Sequence, residues 1–98
     1  DDKAATPAVS APSEVGKWQL FQCEDGGIIE IGGSVGDYAN NGAVTDLKFK
    51  KYIDVAPDKY SVHAYSANTD QHLAELNING KLLTVGFIGG GMMYCQAN

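Results

Sequence analysis

The chain has no arginine. Its 98 residues carry seven lysines against twelve Asp and Glu, a formal net charge of −5. Phosphate recognition needs a basic face, so this balance argues against nucleic acid and favours a basic protein partner drawn in by an acidic field. No run of 18 apolar residues occurs, so no segment reads as a bilayer-spanning helix. The only histidines are His63 and His72. They lack a Cys–His or HExxH spacing, so neither a metal centre nor a cofactor is expected. No GxSxG nucleophile motif is present, and the glycines between Gly86 and Gly91 lack the GK[ST] ending of a phosphate loop. The adjacent carboxylates Glu24 and Asp25 fall in a turn signal, with nothing nearby to suggest a cleft. A domain this small rarely encloses an enzyme-sized pocket, so the expectation is a non-enzyme.

What is present fits one small domain: 44% hydrophobic residues, twelve glycines and only three prolines. Residues 1–14 (DDKAATPAVSAPSE) are rich in Ala, Pro, Ser and Thr without apolar periodicity and read as a flexible tether, with the folded domain over 15–98. A tether of this composition ahead of a small domain suggests an extracytoplasmic lipoprotein of the outer membrane or cell surface, its acylated cysteine lying just before Asp1. Two cysteines, Cys23 and Cys95, fit no zinc or CxxC spacing, which leaves one disulfide or two buried thiols. Small size, turn-rich strands and the tether favour the disulfide. A loop this long adds about 4 kcal/mol in the chain-entropy model.

From Val15 onward the pattern is one of short strands. Lys17–Cys23 sets Trp18 and Leu20 on one face, and Phe21 and Cys23 on the other. Ile28–Ile31 and Val35–Ala39 follow, each ending in a Gly or Asn turn. Ala43–Ile53 alternates Leu47 and Phe49 against Lys48 and Lys50. Lys48, Lys50 and Lys51 make a local basic cluster that reads first as a solvated strand face. Lys59–Ser66 directs Tyr60, Val62 and Ala64 one way and Ser61, His63 and Tyr65 to the wet face. After a polar loop, Ala67–Gln71, a hairpin runs His72–Ile78 to Lys81–Ile88, with Asn79-Gly80 as a type I′ turn that delivers Lys81 to the rim of a sheet. Gly89–Gly91 breaks the chain before Met92–Gln96. Only Asp70–Leu76 carries a trace of helical spacing. Seven or eight short strands at regular intervals predict an all-β, antiparallel barrel or sandwich. A Cys23–Cys95 bridge would tie its first strand to its last.

Phe21-Gln-Cys23-Glu-Asp-Gly26 near the start, Met93-Tyr-Cys95 at the end, and two partial motifs between them resemble the bacterial inhibitors of c-type lysozyme, the MliC/PliC group, and within it the surface-exposed lipoprotein (SliC) branch. The resemblance covers about residues 17–96. The family's serine–glycine–x–x–tyrosine segment is matched by Ser61-Val-His-Ala-Tyr65, with Val62 in place of glycine. Its lysine-bearing loop is matched by Asn79-Gly80-Lys81, without the usual threonine–lysine–glycine run. The resemblance implies an eight-stranded antiparallel barrel whose two loops plug the lysozyme cleft. Ser61 and Lys81 would reach the catalytic carboxylates, Tyr65 would act as a packing anchor, and His63 would be a neighbouring contact. Basic c-type lysozymes suit the acidic chain. A periplasmic immunity protein against another wall-degrading toxin, or a surface adhesin, is the alternative expectation.

Overall fold

The structure is a computed structural model that describes residues 18–56 and 58–98, the side chains at 54 and 55 excepted. The expected tether and the proline of the Pro57-Asp58 turn lie outside the described residues. Eight strands follow in sequence: β1 (Gln19–Cys23), β2 (Ile28–Gly32), β3 (Val35–Asn40), β4 (Ala43–Ala56), β5 (Lys59–Ser66), β6 (His72–Asn79), β7 (Leu82–Phe87) and β8 (Met92–Ala97). Each pairs antiparallel with the next, and β8 returns to β1 to close the barrel. Closure leaves no open sheet edge among the described residues. The segment 70–76 is not helical; His72 onward is strand β6, because the buried Ala74, Leu76 and Ile78 alternate with period two.

The core follows from the same alternation. Phe21, Ile31, Ile78, Leu83, Val62 and Cys95 are the largest fully buried side chains, and with Ile29, Phe49, Leu76 and Val85 they fill the interior. An eight-stranded barrel is just wide enough for its own side chains to occupy, so the centre is packed core and function falls to the wall and the rims. Cys23 lies directly opposite Cys95 across the β1–β8 seam, and the two form a disulfide that joins positions 72 residues apart. The cystine is therefore part of the closure itself, and both sulfur-bearing residues belong to the core cluster.

Two turns decide where rim side chains go. Asn41 and Gly42 both take positive φ (52° and 81°), as a type I′ hairpin requires. In the β6–β7 hairpin Asn79 is instead still paired, opposite Leu82, so the two-residue loop is Gly80-Lys81 rather than Asn79-Gly80. Gly80 has φ 64°, whereas Lys81 is outside the positive-φ region. That is the type II′ pattern, with glycine at the first central position. Lys81 thus sits in the turn and does not follow it.

The ladders also define two ends of the barrel. One end gathers the β2–β3, β4–β5 and β6–β7 turns with the C-terminal end of β8. The other gathers the loops at residues 24–27, 41–42, 67–71 and 88–91.

Candidate functional site

Strand β5 organises the surface expected to carry function. Its burial pattern alternates without a break: Tyr60, Val62, Ala64 and Ser66 are buried, while Ser61, His63 and Tyr65 lie on the outer wall. Ser61 pairs with Asn77 of β6, and the Asn77 side-chain amide donates to Ser61 Oγ at 3.1 Å. The serine is half-buried rather than fully exposed, and its hydroxyl is oriented by a neighbour before any partner arrives. Lys81 is exposed, but its backbone is held on both sides. Ala97 N donates to the Lys81 carbonyl at 2.8 Å, and Gly80 N donates to the Asp58 carbonyl at 2.7 Å. The turn is thereby tied to the end of β8 and to the β4–β5 connection.

Ser61 and Lys81 therefore share one end of the barrel, Ser61 two residues in from the start of β5 and Lys81 in the turn that follows β6. Tyr65 does not join them. It lies four residues further along β5, about 13 Å at the usual strand rise, beside the loop at the other end. The sequence-derived group thus divides: Ser61 and Lys81 at one end, His63 and Tyr65 down the wall.

The second group has its own architecture. His63 and His72 are stacked with ring centroids 4.8 Å apart, and Tyr65 stacks on His72 at 4.6 Å. Lys50, opposite His63 in the β4–β5 ladder, places its ammonium 5.0 Å above the Tyr65 ring. His63 Nε2 is 3.4 Å from Glu75 Oε2. Lys48 forms an ion pair with Asp70, which holds that carboxyl below the usual carboxylate range. Two of the three lysines of the basic cluster thus have partners, and Lys51 occupies a positive-φ position (61°) where β4 is irregular.

His72 reaches this wall through a bulge that local alternation does not disclose. With Ala74, Leu76 and Ile78 inside, parity would turn His72 inward. The register slips between Ala64/Ala74 and Tyr65/His72, so Leu73 is the extra residue. Leu73 packs against the core, and His72 is returned to the outer face. The missed signal was the nine-residue separation of the only two histidines across a five-residue loop, which allows them to meet across an antiparallel pair.

Two tyrosines lie behind the Ser61 end. Tyr60 is buried, its hydroxyl has no hydrogen-bond partner among the described residues, and burial raises it to about 12. Tyr52, whose ring lies 5.8 Å from that of Tyr60, donates to the Gly33 carbonyl at 2.7 Å and is also pushed up by burial. At the opposite end the Tyr38 hydroxyl donates to Asp25, which lowers the carboxyl and raises the phenol. A surface groove along the β8–β1 seam is lined by Gln22, Glu24, Leu82, Tyr94 and Gln96, and neither Ser61 nor Lys81 contributes to it.

Comparison with known protein families, curated proteins and solved structures finds no match to this chain.

Proposed function

We propose that the barrel is a proteinaceous inhibitor of c-type lysozyme that occludes the enzyme's cleft with the end carrying Ser61 and Lys81, and that it catalyses nothing. The reading rests on the residue pattern that resembles that inhibitor family. The observation that carries it further is that a hydroxyl and an ammonium 20 residues apart in sequence share one end of a closed barrel.

The chemistry of the encounter is specific. The acid–base pair of such a glycosidase is one protonated and one ionised carboxyl group. A lysine ammonium pairs with the ionised member, and a serine hydroxyl can donate to or accept from either. Ser61, already accepting from Asn77, keeps its own proton to donate. Burying an ion pair in a cleft is unfavourable unless its geometry is well satisfied. Backbone hydrogen bonds on both sides of Lys81 reduce the ordering cost of presenting it. The net charge of −5 would speed encounter with a strongly basic enzyme. A cystine-closed barrel suits an oxidising, extracytoplasmic site, which is where a lipid-anchored inhibitor would act.

The test is a titration of the protein into c-type lysozyme while lysis of a Gram-positive wall suspension is followed. Inhibition that saturates near one equivalent is the expected result. Undiminished lysis at a large molar excess would remove the proposal and return the immunity-protein and adhesin readings to the front.

A further inference from the structure

The outer wall of β5 and β6 brings together three side chains of the kind that bind a borderline transition-metal ion. One nitrogen each from His63 and His72 and one carboxylate oxygen of Glu75 all lie within 4.8 Å of one another. His63 Nδ1 and His72 Nε2 are out of contact with solvent and have no hydrogen-bond partner among the described residues. Buried polar atoms are rarely left unpaired, because each loses its water without compensation. The His72 imidazole therefore keeps binding capacity that the described protein groups do not use, while His63 meets Glu75 through its other nitrogen, Nε2. The bulge at Leu73 deepens the point: without the extra residue, parity would point His72 into the core, away from Glu75 and His63.

We propose that His63, His72 and Glu75 form a binding site for a divalent transition-metal ion, Zn²⁺ foremost. The donor set selects the ion. Two imidazoles and one carboxylate suit Zn²⁺ and its neighbours Ni²⁺ and Cu²⁺, whereas Ca²⁺ and Mg²⁺ require mainly oxygen ligands. Zinc bonds to nitrogen and oxygen of about 2.0–2.1 Å in a tetrahedron place ligand atoms about 3.4 Å apart. His63 Nε2 and Glu75 Oε2 already stand at 3.4 Å. The near-parallel stack of the two rings, 17° between planes, does not converge both lone pairs on one point, so binding rotates an imidazole out of the stack. Three protein ligands leave the fourth position to water or to a donor from a partner. Lys50 stands opposite His63, and its ammonium, held over Tyr65, disfavours a second cation nearby.

Calorimetric titration of the intact chain with ZnCl₂ tests the site, with the two histidine side chains followed by NMR. The chain holds only these two histidines, so imidazole signals report on no other position. The expected result is one ion per chain with simultaneous shifts of both imidazoles. Affinity should fall at least about 10-fold in His63→Ala and in His72→Ala, fall less in Glu75→Gln, and rise in Lys50→Gln; MgCl₂ should leave both imidazoles unmoved. All four positions lie on the outer wall, and far-UV circular dichroism verifies the fold of each variant. Absence of imidazole shifts at millimolar Zn²⁺, or binding that survives both histidine substitutions, would overturn the proposal. The result is independent of whether the barrel inhibits a lysozyme.

Discussion

Two unequal stretches of the barrel wall, six ladders against two, are built differently. From β6 through β7, β8, β1 and β2 to β3, and on to the β3–β4 ladder, every pairing runs in unbroken register, and the cystine sits at the centre of that run. The β4–β5–β6 wall slips register three times: twice between β4 and β5, and once between β5 and β6. The irregular side is also where Ser61, His63, Tyr65, His72 and Lys50 face outward. Regular ladders bury alternate residues efficiently but allow each side chain only the face its parity dictates. A bulge breaks that rule locally, and here it sets aromatic and basic groups side by side. The contrast shows the regular stretch of the wall holding the closure while the irregular stretch aims side chains.

The sharpest way to break this division is to remove the closure. Replacing both Cys23 and Cys95 with alanine should lower unfolding stability by about 2–5 kcal/mol in urea melts while leaving a folded barrel at room temperature. An unchanged midpoint would show that the β1–β8 ladder closes the barrel unaided. Next in size is a paired comparison across the two stretches. Leu83→Ala, at a fully buried position of the regular stretch, should cost about 2–5 kcal/mol, whereas His72→Ala, which loses its stacking on His63 and Tyr65, should cost about 1 kcal/mol. Similar costs would erase the distinction between holding and aiming.

A smaller effect concerns alkaline pH. Burial raises Tyr60 to about 12, above the value of about 10 for an unfolded chain. Its contribution is therefore complete below pH 10 and disappears as pH rises through 12. Tyr60→Phe should flatten the loss of melting temperature across that window. At neutral pH it should leave stability equal or slightly higher, because the hydroxyl removed has no hydrogen-bond partner among the described residues. Half-buried Tyr52 beside it is also pushed up, so the curve flattens without becoming level. An unaltered alkaline limb would show that Tyr60 is not the group concerned.

Much of the fold was legible because the chain alternates so consistently. Phe21 and Cys23 turn inward, Leu47 and Phe49 oppose Lys48 and Lys50, and Tyr60, Val62 and Ala64 mark β5, all by period-two spacing that needs no knowledge of partner strands. The loop at 67–71 and the turn at Asn41-Gly42 were legible from their residue types. What escaped depended on pairing between strands. Whether Asn79-Gly80 or Gly80-Lys81 forms the turn is decided by the register of Asn79 with Leu82, and both choices contain the same glycine. The bulge at Leu73 depends on how β6 meets β5, so the nine-residue spacing of His63 and His72 allows their meeting without dictating it. The extension of β4 to Ala56, past Ile53, runs through irregular pairing that a strict alternation cannot follow.

Occlusion of the cleft by this end of the barrel is tested by comparing the parent protein with Ser61→Ala and Lys81→Ala as inhibitors of c-type lysozyme, each variant first verified as folded. Both variants should need a higher molar ratio to reach half-inhibition, with the larger shift for Lys81→Ala because it leaves the ionised carboxylate of the cleft without its ion-pair partner and so speeds dissociation. Two variants that inhibit as well as the parent would contradict that occlusion.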